Sequence, residues 1–134
     1  MSAKPFVDTN ILIYAFTSND PRSERAEAIL AAGGTISVQV LNEFVNVSRR
    51  KHRRDWDEIA TMLDVLKILL DPPQPLTMKI HEGAIDIARD HGFHFYDSLI
   101  VSAALQRGCS ILYSEDLQHG QKFGKLTIQN PFLK

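Results

Sequence analysis

Short apolar runs of strand length alternate with stretches of helical period along this chain, and that alternation restricts the folds open to it. Strands separated by helices pair in parallel, through right-handed crossovers that lay helices on both faces of one sheet. An α/β protein with parallel strand pairing is therefore expected.

KPFV reads as the first strand, with a helix following through ILIYAF. Asp20-Pro21 reads as a cap and a proline at the first helical position, opening a helix through RSERAEAILAA that Gly33-Gly34 stops. TIS is expected as a second short strand and VQVLNEFVNVSRR as the helix after it. Asp55, with Glu58 three residues on, resembles a capping box for IATMLDVLKILL, which Pro72, Pro73 and Pro75 end. MKIHEGAIDIARDHG places Ile80, Ala84, Ile87 and Ala88 on one helical face, with Gly92 as its C-cap. YDSLIVSAALQRG repeats the pattern up to Gly108, and CSILYS is the clearest strand. A polar loop and a last strand around KLTIQ follow. There is no internal repeat, linker or low-complexity stretch, so residues 1–134 are expected to form a single domain.

At 134 residues the chain is long enough to bury a substantial core. A composition 44% hydrophobic and 23% charged argues against disorder. With 15 Lys+Arg against 16 Asp+Glu the net charge is −1, so binding to nucleic acid needs a local patch. Cys109 is the only cysteine, which excludes an intrachain disulfide. It reads as a small buried apolar residue beside a strand, in a reducing compartment. No apolar run approaches the roughly 18 residues of a membrane span. MSAKPF also lacks a signal-peptide core, so a cytoplasmic protein with no membrane partner is expected.

In parallel sheets, ligand sites gather at the carboxyl ends of the strands, and that rule selects among the acids. Asp8 directly follows FV inside the apolar run FVDTNILIYAF, where burying an unpaired carboxylate is costly. Asp116 follows the strand SILYS at one remove, and Glu43 lies on the helix after TIS. Asp97 stands at the start of the helix YDSLIVSAAL, where the dipole favours an anion. All four can therefore face one crevice. Singly, Asp97 also reads as an N-cap, Asp116 as a turn residue and Glu43 as a solvated helical acid; their joint placement carries the inference. Converging carboxylates suit a hard cation such as Mg²⁺ or Mn²⁺, whose octahedron waters and a substrate phosphate complete. A cation so held lowers the pKa of bound water and neutralises phosphodiester charge. Without it the carboxylates repel, and at least one pKa rises. No zinc-type His/Cys spacing, Ser/His/Asp order or GxxxxGK[ST] loop competes with this reading.

FVDTNILIY, the Glu43 in QVLNEF, YDSLIVSAAL and YSEDL resemble, in order and spacing, the motifs of the PIN-domain family, especially its short bacterial VapC-type toxins. The resemblance covers nearly the whole chain. It implies a three-layer α/β/α sandwich with a central, mostly parallel sheet. It also implies a metal-dependent ribonuclease using Mg²⁺ or Mn²⁺, often a homodimer and inhibited by a partner antitoxin. Carried over by motif, Asp8, Glu43, Asp97 and Asp116 form the catalytic acidic site. Asp8 and Asp97 would hold the principal metal, with Asp116 and Glu43 completing the cluster and positioning or activating the attacking water. Asn10 would orient a ligand or substrate, and Ser114 stands where the family often has a threonine before its last acid. One departure matters: the family frequently continues with a second aspartate and a phenylalanine, whereas Leu117, Gln118 and His119 follow here. Glu115 is the candidate substitute for that second acid.

SRRKHRRD gathers Arg49, Arg50, Lys51, Arg53 and Arg54, five of the 15 basic residues. The run reads either as a solvated helix end complementing the dipole, or as a surface contacting RNA phosphates or a partner. His81, His91, His94 and His119 lack a carboxylate at fixed spacing and read as surface residues. Trp56 and the stripe Leu63, Leu66, Leu69 and Leu70 read as core or as a subunit contact. The expected function is a Mg²⁺- or Mn²⁺-dependent endoribonuclease, the toxin half of a toxin–antitoxin pair. The alternative is a PIN-like module that binds RNA or a protein without turnover. A phosphoryl-accepting aspartate protein fits less well. Asp8-Thr9-Asn10 lacks the second aspartate of a dehalogenase-type phosphatase, and no paired acids follow the first strand.

Overall fold

A computed structural model describes residues 4–133, so the first residues of MSAKPF and residue 134 lie outside it. Four strands form one sheet: β1 (Phe6–Val7), β2 (Ile111–Tyr113), β3 (Lys122–Phe123) and β4 (Leu126–Gln129), in the order β1-β2-β4-β3. Phe6 pairs with Leu112 and Leu112 with Ile128, both in parallel, while β3 and β4 form an antiparallel hairpin. The sheet is thus mostly parallel: helices separate β1 from β2, whereas β2 reaches its parallel partner β4 through a helix-free segment that contains β3. Six helices accompany it among the described residues: α1 (Thr9–Ala15), α2 (Ser23–Ala31), α3 (Val38–Arg50), α4 (Trp56–Leu69), α5 (Met78–His91) and α6 (Phe95–Arg107).

Local chemistry explains most of the boundaries. Asp55 accepts from the Glu58 amide at 2.8 Å and Glu58 from the Asp55 amide at 3.1 Å, the expected capping box. Gly92 and Gly108 end α5 and α6 in the left-handed region, at φ 70° and 80°, which favours glycine. The sheet interior is apolar, with Phe6, Val7, Leu112, Leu126 and Ile128 all fully buried. Each such side chain contributes roughly 1.5–3 kcal/mol by leaving water. α6 is buried continuously from Ser98 to Ala104, so its small residues face neighbours on every side. A Cβ at Gly83 would meet Ser102 Oγ at 2.6 Å, and that hydroxyl donates to the Ile80 carbonyl at 2.9 Å; α5 and α6 are in close contact because both residues are small.

Three expected elements are corrected. TIS does not form a strand: Thr35 bridges Phe6, whereas Ser37 bridges Gln74. The segment changes partners within two residues because Ser37 is already the N-cap of α3, its hydroxyl accepting from the Val40 amide. Asp20-Pro21 does not open a helix. Asp20 instead accepts from the Arg22 amide and guanidinium, and α2 begins at Ser23 with no side-chain cap. The expected polar loop contains β3, whose Phe123 is buried and whose turn passes through Gly124 at φ 58°.

In the leucine stripe, Leu66 and Leu70 are core and Leu69 is exposed. Trp56 is 61% exposed, with the Arg49 guanidinium 4.5 Å from its ring centroid. Cys109 is buried, and burial pushes its thiol pKa up. Among the described residues no helix is long and apolar enough to cross a membrane.

Candidate active site

β1 ends at Val7, and the next residue is both its continuation and the start of α1. The Asp8 amide donates to the Tyr113 carbonyl at 3.0 Å, tying it to the end of β2. Its carboxylate caps α1: Oδ1 accepts from the Thr9 amide at 2.7 Å, and Oδ2 accepts from Ser114 Oγ at 2.7 Å. Ser114 is fully buried and Asp8 is 4% exposed. Burial raises the Asp8 pKa from 3.8 to about 7, against the pull of the Ser114 and Thr9 hydrogen bonds, with Glu43 and Asp116 adding to the rise.

Glu43 faces Asp8 from α3. Its Oε2 accepts from Gln39 Nε2 at 3.0 Å, one helical turn earlier, and its Oε1 from Thr9 Oγ1 at 3.4 Å. Burial pushes its pKa up, and Asp97 and Asp116 push it further. Asp97 lies in the first turn of α6, whose N-cap is His94, so the N-cap reading of Asp97 gives way to an inward-facing acid. Burial raises its pKa too, opposed by His94 and reinforced by Asp116. Asp116, on the bend after β2, is exposed and accepts from Asn10 Nδ2 at 3.1 Å. Asn10 Oδ1 in turn accepts from the Glu115 amide at 3.4 Å.

The four carboxylates line one cleft of about 270 Å³, together with Asn10, Tyr14, Lys51 and His52. None of the four is ion-paired among the described residues. Ser114 lies beneath, acting through Asp8. Glu115 is elsewhere: Arg22 Nη1 contacts its two oxygens at 3.0 and 3.1 Å, and it lines a neighbouring depression with Arg25 and Phe132. Glu115 therefore does not supply the second acid missing after Asp116.

The basic run does not act as one surface. Lys51 reaches the acid cleft, while Arg50 borders an adjacent depression with Asn46. Arg53 is exposed at a turn with φ 52°, and Arg49 lies over Trp56 and donates to the Arg54 carbonyl. Arg54 is buried, donating to the Phe16 carbonyl at 2.8 Å and to Ser48 Oγ at 3.4 Å. His52 is the histidine that the sequence reading passed over. Its pKa is lowered by burial and by Arg54 and Lys51, and its Nε2 has no protein hydrogen-bond partner among the described residues. The available signal was its place beside Lys51, the residue that continues the i,i+4 spacing of Glu43 and Val47 past the end of α3 into the cleft.

The donor set is all oxygen on the acidic side, which suits Mg²⁺ or Mn²⁺. Among the described residues no three acid, histidine or cysteine side chains are gathered as a ready-made ion site. Burial, with neighbouring carboxylates adding to it, raises the pKa of Asp8, Glu43 and Asp97, and a positive charge in the cleft would offset that rise.

VapC20 of Mycobacterium tuberculosis, described as a Sarcin-Ricin loop cleaving toxin, superposes with a TM-score of 0.70 at 20% identity, over 84% of this chain and 89% of that one. VapBC2 from Rickettsia felis, solved bound to a DNA fragment from their promoter, gives a TM-score of 0.65 at 20% identity, over 93% of this chain and 96% of that one. At this identity the likeness establishes the shared fold. No curated protein is a significant match. A family model for the PIN domain matches residues 6–122, from the first residue of β1 to the first of β3, and the chain belongs to that family.

Proposed function

We propose that this protein is a Mg²⁺- or Mn²⁺-dependent endoribonuclease of the VapC type, acting in the cytoplasm as the toxin of a toxin–antitoxin pair. The observation that carries the reading is the convergence of Asp8, Glu43, Asp97 and Asp116 on one cleft without a cationic partner among the described residues. Asp8 and Asp97 would hold the principal ion, with Asp116 and Glu43 completing the acidic set. When bound, the ion would acidify water and offset phosphodiester charge. The chain's own contribution is orientation: Ser114 and the Thr9 amide fix the Asp8 carboxylate, Gln39 and Thr9 fix Glu43, and Asn10 fixes Asp116. Lys51, which lines the same cleft two helical turns beyond Glu43, would meet a substrate phosphate. The neighbours' descriptions support RNA as substrate and a VapB-like antitoxin as partner, and a second copy of the chain is proposed as a further partner.

Labelled RNA incubated with Mn²⁺ tests the reading. Cleavage is expected in the wild type, lost in EDTA and reduced about 100-fold or more in Asp97→Asn. Cleavage that persists in EDTA and in Asp97→Asn would overturn it. The missing ready-made ion site favours a second reading, a module that binds RNA without cutting it. That reading predicts RNA retention in EDTA and intact RNA with Mn²⁺.

The divided basic run gives a further expectation. Arg54→Ala lowers unfolding free energy by about 2–3 kcal/mol in urea melts, because the Phe16 carbonyl loses a charged donor. It leaves the salt dependence of RNA binding unchanged. Lys51→Ala flattens the log–log salt slope by about 0.7 with little effect on stability.

A further inference from the structure

Asp116 differs from the other three acids in what holds it. Asp8 caps a helix, and Glu43 and Asp97 ride on α3 and α6, but Asp116 is exposed on an irregular bend. We propose that Arg22, Tyr14 and Glu115 form a positioning clamp that holds this bend, and with it Asp116, at the cleft. The proposal rests on the nuclease reading above.

The geometry starts on α1, where Asn10 and Tyr14 are four residues apart and so share a face. Asn10 holds the backbone of Glu115 and the carboxylate of Asp116. Tyr14 donates its hydroxyl to the carboxylate of Glu115. Arg22 closes the arrangement from the turn before α2: Nη1 donates to both Glu115 oxygens and, at 2.7 Å, to the Tyr14 hydroxyl. Its Nε and Nη2 donate to Asp20 at 2.9 and 2.8 Å, and its guanidinium carbon lies 3.8 Å from the Tyr14 ring centroid. Two carboxylates, a phenol and an aromatic face thus fix one guanidinium, whose planar fork suits such multidentate contact. The bend is gripped at both residues, Glu115 by the clamp and Asp116 by Asn10.

These groups are at most partly buried, and partly exposed ion pairs add little to stability. A clamp that merely decorates the surface would leave function untouched when removed. A positioning clamp would cost function with little change in melting temperature, because a misplaced carboxylate weakens ion binding and slows the reaction.

Arg22→Ala, Glu115→Ala and the double variant of the full chain distinguish these outcomes, with Mn²⁺ affinity by calorimetry, kcat and KM for a labelled RNA, and melting temperature. Each single variant is expected to weaken Mn²⁺ binding and lower kcat by about 10-fold, with KM changed less. The double variant should be no worse than either single, because the residues act as a unit. Glu115→Gln, which keeps the side chain's shape, should show a smaller loss in the same direction and serves if either alanine variant fails to fold. Wild-type affinity and kcat in both singles would overturn the clamp, as would losses that follow the drop in melting temperature or add in the double variant. Wild-type protein that neither binds Mn²⁺ nor cuts RNA would remove the nuclease reading and the clamp's role together, a result visible before any substitution is made.

Discussion

Asp8→Asn abolishes RNA cleavage and raises the melting temperature of the metal-free protein at pH 8. The two effects have one cause. Asp8 is almost wholly enclosed and its pKa stands at about 7, so its ionised form is held at a cost that its hydrogen bonds only partly offset. Asparagine has the same shape, its oxygen can still accept from the Thr9 amide, and its amide can donate to Ser114 Oγ. What it removes is the desolvated charge. A rise from 3.8 to about 7 corresponds to about 4 kcal/mol at high pH, an upper bound on the gain. The catalytic loss should be at least about 100-fold if that carboxylate holds the ion. Melts in EDTA at pH 8 beside a cleavage assay read both, and an inactive variant that is also less stable than wild type would contradict the account.

The second large effect is an inverted pH dependence that Mn²⁺ cancels. The folded-state pKa of Asp8 is raised above its unfolded value of 3.8, so between pH 3.8 and about 7 the folded protein keeps a proton the unfolded chain has released. Stability from this group is therefore full below the unfolded pKa and is lost as pH rises through about 7. Glu43 and Asp97, also raised, act with the same sign. Asp20, lowered to about 2 by its Arg22 hydrogen bonds, acts oppositely, but only in the acid range below its unfolded value. His52, whose pKa burial lowers, acts oppositely near its unfolded value of 6.5, so the decline in metal-free melting temperature expected from about pH 5 to pH 8 is the excess of the three raised acids over that one histidine. Mn²⁺ binds the ionised carboxylates, so the rise in melting temperature it produces should grow over the same interval. A Mn²⁺ effect equal at pH 5 and pH 8 would mean that these acids are not its ligands.

Legibility in the sequence followed the kind of signal each feature leaves. The break between an apolar strand and a helix places Asp8, the start of the helix YDSLIVSAAL places Asp97, and the helix after TIS places Glu43, all of which are written in local residue order. The corrected elements depend on partners far away. Thr35 and Ser37 look like a strand, yet they bond to opposite neighbours, Phe6 and Gln74. β3 is two residues long and carries no period, although buried Phe123 beside Gly124 was a usable hint. The basic run looked uniform because charge alone does not reveal direction: the left-handed turn at Arg53 precedes Arg54, which is buried against α1's final turn and Ser48. Glu115 resembles a spare metal ligand in sequence, but Arg22, 93 residues away, holds it.

The parallel pairing of β1 with β2 has a consequence for biosynthesis. Asp8 and the Ser114 hydroxyl that holds it are 106 positions apart, so the site closes across almost the whole length of the chain. Long-range closure of this kind is entropically slow compared with helix formation. At translation rates of roughly 5–20 residues per second, Asp8 is added to the chain on the order of 5–20 s before its partner is made. Glu43 and Asp97 are synthesised within that interval, but β1 has no β2 to lie against. A nascent chain short of Ser114 therefore carries three of the four acids without the assembled cleft, which closes only once that serine has been added and has emerged.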